Sequence, residues 1–231
     1  EGIGTRVGQE NLPIPTSMKV FTGFTQGSEE WFAVRKGRPT ASQFSKIITA
    51  VKGDLSKSHT GYMVELIAEC FCPTYASFLG NSWTDRGNEL EPEAREAFTK
   101  HTGHAVEQVG FCTRDDGIVG ASPDGLIRGP DGEWIAGLEL KCPAPKTHVG
   151  YVLEGVLPDD YRQQVHGGMA VTGLNRWEFF SYFPGMQPFH ITVHRDDYTA
   201  KLSAALDEFL FKYRDAREKA VPQLQLHEPT P

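Results

Sequence analysis

Residues 122–143 read Ser-Pro-Asp-Gly-Leu-Ile-Arg-Gly-Pro-Asp-Gly-Glu-Trp-Ile-Ala-Gly-Leu-Glu-Leu-Lys-Cys-Pro. Two strand-like runs flank Asp131-Gly132, a favoured two-residue hairpin turn. With that turn Pro130 faces Glu133, and counting outward along both runs sets Asp124 opposite Glu139. Directly paired residues stand about 5 Å apart between Cα atoms. Lys141, two positions past Glu139, projects from the same face. A bulge at the glycine-rich tip would slip this register by one residue and send the groups to opposite faces. Like charges directly opposite each other destabilise a sheet, so two acids and a lysine on one face ask for a compensating cation. Oxygen donors with waters completing the shell suit Mg²⁺ or Mn²⁺. Spacing alone leaves a plainer reading equally open: Asp124 as a turn residue, and Glu139 with Lys141 as a solvated strand face.

Outward from this hairpin the pattern alternates between helix and strand. On the N-terminal side, Ser28 caps a short helix through Trp31 to Lys36, closed by Gly37. Thr40-Ala41-Ser42-Gln43 has the form of a capping box, with Phe44, Ile47 and Ile48 behind it. Tyr62, Met63, Leu66, Ile67, Cys70 and Phe71 recur at helical spacing. Asn88 to Thr102 reads as a helix ended by Gly103, with Pro92 expected in its first turn, where its missing N–H costs least. Ala105–Thr113, Ile118–Ile127 and Trp134–Cys142 read as strands. Asp159–Thr172 reads as a helix, Arg176–Phe183 and Phe189–His194 as strands, and a long amphipathic helix starts at Asp196. This order predicts an α/β or α+β fold, a sheet with helices on both sides.

The chain has 231 residues, 39% hydrophobic and 23% charged. Such a composition excludes wholesale disorder, and a domain this size buries roughly 70–75% of its unfolded surface. One domain is expected over 28–220, with a loosely ordered arm at 1–27 packing only near Phe21–Phe24 and a frayed tail at 221–231. No run approaches the ~18 apolar residues of a membrane helix, and no basic-then-apolar leader opens the chain. Cys70, Cys72, Cys112 and Cys142 are too few for a disulfide framework, so a reducing cytoplasm is expected. A net charge of −7, from 23 Lys and Arg against 30 Asp and Glu, excludes coating nucleic acid through a bulk positive field. It leaves room for a local basic track around an acidic metal site. His190 with His194, and His101 with His104, read as solvated or capping residues rather than ligands.

Four motifs in order carry a family resemblance. Ser122-Pro123-Asp124-Gly125-Leu126, followed by Gly137-Leu138-Glu139-Leu140-Lys141, resembles the PD-(D/E)XK nuclease signature. Trp31-(x3)-Arg35 with Thr40-Ala41-Ser42, Gly87-(x3)-Glu91-(x3)-Arg95, and Tyr161-(x2)-Gln164-Val165 narrow it. From about Trp31 to Tyr213 the chain is similar to the lambda-exonuclease-like, YqaJ-type viral recombinases. The resemblance implies a restriction-endonuclease-like core, with a central mixed β-sheet flanked by helices. It implies Asp124, Glu139 and the Leu140 carbonyl around one Mg²⁺, and Glu91 with Asp124 around a second. Lys141, helped by Gln164, would orient the attacking water. Arg35, Ser42 and Ser122 would contact phosphates of the DNA end, with Lys52 where the family has an arginine for the terminal 5′-phosphate. For the family's strand-separating wedge the nearest candidate is Trp83, whose plainer role is core packing.

The implied activity is processive 5′-to-3′ digestion of linear double-stranded DNA to 5′-mononucleotides. The implied setting is a ring-shaped homotrimer, phage- or prophage-encoded in a bacterial cytoplasm, handing its 3′ tail to a single-strand annealing protein. The rivals are a structure- or site-specific endonuclease on the same core, and a non-catalytic DNA clamp.

Overall fold

The computed structural model describes residues 18–72 and 85–224. Trp83, most of the expected N-terminal arm, and the chain beyond Leu224 lie outside the described residues. In chain order the first half holds β1 (Met18–Phe21), α1 (Glu29–Arg35), a 3₁₀ helix (Ala41–Lys46), α2 (His59–Phe71) and α3 (Asp85–Thr102). Short strands follow: β2 (Val106–Glu107), β3 (Phe111–Arg114), β4 (Gly120–Ala121) and β5 (Gly125–Arg128), then the longer β6 (Trp134–Lys141). The chain closes with α4 (Pro145–Glu154), α5 (Asp159–Thr172), β7 (Arg176–Ser181), β8 (Phe189–His194) and α6 (Asp197–Leu224).

A five-stranded sheet runs β2-β5-β6-β7-β8, with β6 and β7 parallel and the other neighbours antiparallel. A smaller sheet runs β1-β3-β4. The parallel pair exists because α4 and α5 carry the chain back across the sheet, as parallel strands require. Side chains alternate across the large sheet. Leu126, Trp177 and Phe179 meet Val165 and Met169 of α5 on one face. Ile127, Ala136, Leu138, Leu140 and Phe180 meet Ala94 and Phe98 of α3 on the other. Full burial of each such side chain contributes about 1.5–3 kcal/mol. A third apolar cluster joins the 3₁₀ helix, α2 and α6. No helix among the described residues is long and apolar enough to cross a membrane.

One contact sets the distance between helix and sheet. A Cβ built on Gly168 would stand 2.5 Å from the Trp177 ring, and one on Gly137 would collide with the same ring. Two missing side chains therefore let α5 sit close against β6.

Several local expectations are corrected. The runs 105–113 and 118–127 are not single strands. Each crosses from one sheet to the other, through Gly110 in the first and Pro123 in the second, which apolar periodicity cannot reveal. Met18–Phe21, expected in the loose arm, forms an edge strand paired with β3. Thr40 makes no capping box: Gln43 N–H donates to its backbone carbonyl at 2.8 Å, and residues 41–46 wind as a 3₁₀ helix. α3 is already helical at Asp85, the first described residue there, so Pro92 lies inside it rather than in its first turn, at a cost of about 3 kcal/mol. α4, with Pro145 opening it and Gly155 closing it at φ +67°, is an element the sequence reading does not include, because Pro143 and Pro145 interrupt the pattern ahead of it. By contrast, Ser28 caps α1 by accepting from Trp31 N–H, α5 spans Asp159–Thr172 as expected, and Asp196 caps α6 through Tyr198 and Thr199.

Candidate active site

Gly125 pairs with Leu138, Leu126 with Gly137 and Ile127 with Ala136, the register that carries Asp124 toward Glu139. It arises by two cancelling offsets. Gly129 N–H donates to the Glu133 carbonyl at 2.8 Å, so Pro130, Asp131 and Gly132 form a three-residue loop, with Gly132 at φ +84°. Arg128 then pairs with Trp134, and a bulge at Ile135 restores the count before the acids are reached.

Glu139 is buried on the α5 face of β6, 2% exposed. Its Oε1 receives Lys141 Nζ at 2.5 Å and Gln164 Nε2 at 2.6 Å. Lys141 Nζ also lies 5.0 Å over the Tyr161 ring. Asp124 Oδ2 accepts from the Leu140 backbone N–H at 2.6 Å. Burial, then repulsion from Glu139, pushes the Asp124 carboxyl well above the usual carboxylate range, with Lys141 opposing. Burial raises Glu139 too, and again Lys141 opposes. Burial alone would depress Lys141, but Glu139 and Asp124 hold its ammonium above the ordinary lysine value.

Glu91 approaches from α3, the helix layer on the other face of the sheet. Arg95 pairs with Glu91 one turn away and donates through Nη2 to the Asp124 backbone carbonyl at 3.2 Å. Among the described residues no three His, Cys, Asp or Glu side chains are grouped so as to hold a metal ion by themselves. Asp124 and Glu139 nevertheless each keep one carboxylate oxygen without a hydrogen bond or ion pair among the described residues. Two hard, desolvated oxygens under mutual repulsion fit a divalent cation of the Mg²⁺ or Mn²⁺ kind.

Beside this centre stands a second polar group. Ser122 Oγ accepts from Arg35 Nη1 at 2.9 Å and from Trp31 Nε1 at 3.0 Å. Arg35 Nη2 reaches Thr40 Oγ1 at 3.2 Å and Ser42 Oγ at 3.5 Å, and the guanidinium sits 4.1 Å from the centroid of the Trp31 ring. Burial lowers Arg35 to about 10, which leaves it charged at neutral pH. All its hydrogen-bond partners among the described residues are neutral hydroxyls. Ser42, Ser122, Glu139 and Gln164 line one small cleft, which joins the two groups.

Of the residues expected at the site, Asp124, Glu139, Lys141 and Gln164 come together, with Glu91 alongside. Arg35, Ser42 and Ser122 form the adjoining group. Lys52 stands apart, exposed on the turn after the 3₁₀ helix. Sequence reasoning gave Trp31, Thr40 and Tyr161 no part in the site itself. Trp31 lies one helical turn before Arg35, spacing that signals stacking; Thr40 and Tyr161 carried no signal beyond their place in the motifs.

The YqaJ-like viral recombinase domain model matches residues 30–175. The solved structure of LHK-Exo in complex with dAMP is 32% identical, covering 85% of this chain and 100% of that one, with a TM-score of 0.64. The alkaline exonuclease LHK-Exo from Laribacter hongkongensis is 31% identical with the same coverage and a TM-score of 0.63. A phage-related exonuclease from Haemophilus somnus 129PT, 15% identical over 81% of this chain and 96% of that one, shares the fold at a TM-score of 0.52. No curated protein sequence matches. The chain belongs to the YqaJ-like viral recombinase family.

Proposed function

We propose that this member of the YqaJ-like viral recombinases is a Mg²⁺-dependent exonuclease that digests one strand of linear double-stranded DNA from its 5′ end, releasing 5′-mononucleotides. The observation that carries the reading is a small cleft, lined by Ser42, Ser122, Glu139 and Gln164, between the buried Asp124–Glu139–Lys141 centre and a desolvated Arg35 that forms no ion pair with a carboxylate among the described residues. The first group suits cations and the second suits an anion, as a phosphodiester beside a metal site requires. That LHK-Exo is seen with dAMP, a mononucleotide, supports the product assignment.

Asp124, Glu139 and the Leu140 carbonyl would hold one Mg²⁺, and Glu91 with Asp124 a second; these ions would supply an activated water and Lewis acidity at the leaving oxygen. Gln164 fixes the Glu139 carboxylate by its hydrogen bond to Oε1. Lys141 places positive charge where negative charge gathers on the phosphorus oxygens, in a site where low dielectric magnifies it. Arg35, braced by Trp31 and the Ser122 hydroxyl, grips the terminal phosphate together with Ser42. The Arg95 contacts steady Glu91 and the Asp124 backbone.

The nuclease unit is taken as one domain over 28–220. By family likeness it works as a ring-shaped homotrimer inside the bacterial cell and passes its 3′ tail to a single-strand annealing protein. A ring suits a chain of net charge −7, because encirclement needs a basic lining only in its channel. End-labelled linear duplex and covalently closed circles, incubated with Mg²⁺ or with chelator, test the activity. Mononucleotide release from 5′ ends with intact circles is expected; cleavage of closed circles would replace the reading with an endonuclease. Light scattering at about three times the 25.6 kDa chain mass is expected, and a monomer that digests processively would remove the ring.

A further inference from the structure

One turn of α5 faces two ways. Tyr161 and Gln164 touch Lys141 and Glu139. On the other side Gln163 Nε2 donates to the Ile48 carbonyl at 3.3 Å. The Arg162 guanidinium lies 4.3 Å from the ring centroid of Tyr198, and the Tyr198 hydroxyl donates to the Thr49 carbonyl at 3.1 Å. The loop after Ile48 closes on itself through Thr49 N–H to the Asp54 carbonyl at 2.9 Å and Gly53 N–H to the Thr49 carbonyl at 3.2 Å. Lys201 of α6 lays its stem over that loop, since a Cβ built on Gly53 would stand 3.0 Å from Lys201 Cδ. Lys52, Arg162 and Lys201 are thus set around one pinned loop, clamped to the helix that carries Gln164. Lys52 and Lys201 are exposed and Arg162 is half-buried. Asp54, Asp159, Asp160, Asp196 and Asp197 share the neighbourhood, yet among the described residues no ion pair joins them to these three cations.

We infer that Arg162 and Lys201, with Lys52, form a cationic ledge that holds backbone phosphates of the DNA beside the Gln164 end of the cleft. The inference rests on the nuclease reading. An acidic protein that leaves three neighbouring cations without ion pairs among its described residues, on a braced surface that shares α5 with its active cleft, offers that surface to a polyanion. Arg162 precedes Gln164 by two positions on α5, so it stands on the flank of the helix whose other side lines the cleft. Arg162 and Lys201 are positioning residues: they touch the strand's backbone and not the scissile bond.

The test is the salt dependence of binding to a blunt 5′-phosphorylated fluorescent duplex, followed by anisotropy with Mg²⁺ in a Lys141→Ala background that does not consume the DNA. Arg162→Gln and Lys201→Gln are each expected to lower the slope of log affinity against log salt by about 0.9. The affinity gap to the parent should then narrow about 3-fold between 50 and 200 mM salt. Arg162→Lys should keep the parent slope, and with Lys141 restored the losses should show in KM. Unchanged slopes in both glutamine variants, with the parent binding normally, overturn the ledge alone. Equal losses from Arg162→Lys and Arg162→Gln reduce Arg162 to a packing residue and overturn it there. A parent that does not bind duplex DNA overturns the nuclease reading and the ledge with it.

Discussion

The strand pair carrying Asp124, Glu139 and Lys141 and the pocket around Arg35 open onto one cleft, yet they present opposite electrostatic problems. In the strand pair the charges answer one another: two desolvated carboxyls repel, and Lys141 offsets only part of the repulsion. In the pocket a desolvated guanidinium is held by hydroxyls and an indole face, with Glu69 acting on it only at longer range and no ion pair to a carboxylate among the described residues. On the proposed reading the first group gains a cation and the second an anion. Placed side by side, they make two incomplete sites that a metal-bound phosphodiester would complete together.

That contrast can be broken most severely at the strand pair. Asp124→Asn and Lys141→Ala should each reduce Mg²⁺-dependent digestion by at least about 10²–10³, the usual cost of losing one electrostatic group at a reacting centre. Their stabilities should diverge. Without metal Asp124→Asn, which relieves repulsion, should melt no lower than wild type, while Lys141→Ala strips the buried Glu139 of its countercharge and should melt lower. A folded variant of either kind with near-wild-type turnover would show the centre to be misassigned.

Next in size is the pocket. A charge-assisted hydrogen bond contributes about 1.5–3 kcal/mol, so Arg35→Ala should slow initiation on 5′-phosphate ends roughly 10–100-fold. It should leave 5′-hydroxyl ends nearly unaffected. Equal wild-type rates on the two ends would remove the terminal-phosphate role.

The third prediction sharpens the contrast through pH. Because the folded Asp124 and Glu139 carboxyls sit above their unfolded values, the native state retains protons that the unfolded chain has released. Stability of the metal-free protein should therefore fall as pH rises from about 4 through the raised values. Thermal melts in chelator should decline by about 2–4 °C per kcal/mol lost, and Mg²⁺ or Asp124→Asn should flatten the decline. A flat metal-free profile would mean that the carboxyls do not repel. The smallest effect belongs to Lys52→Ala, a few-fold loss of the 5′-phosphate preference, because an exposed lysine acts as a point charge without the guanidinium fork. A loss as large as that of Arg35→Ala would bring Lys52 into the pocket.

The parts of this arrangement that were legible in the sequence are those fixed by short-range geometry. Period two along β6 placed Glu139 and Lys141 on one face, and Phe189, Ile191 and Val193 of β8 share a face for the same reason. Helix ends at Ser28 and Asp196 followed from capping chemistry. What escaped depends on competition between distant groups. Thr40 had the sequence of a capping box, but Arg35 claims its hydroxyl. The runs around Gly110 and Pro123 each read as one strand, yet each is divided between two sheets whose separation is a property of the whole fold. The approach of Gln164 to Glu139 needed Gly137 and Gly168 to make room for one indole, a three-body fit that no local spacing announces.

The hairpin between the two acids holds a spare residue. Because the bulge at Ile135 takes up one position on β6, a deletion on that arm can be absorbed by straightening the strand. Every pairing from Gly125 outward is then kept. The β5 arm has no such slack, since a deletion between Asp124 and Gly129 would leave the facing strand a further residue too long. Length drift among relatives should accordingly be lopsided, frequent between Glu133 and Ala136 and rare between Asp124 and Arg128. Removing Ile135 should leave a protein that still cuts DNA, and removing Ile127 should leave one that does not.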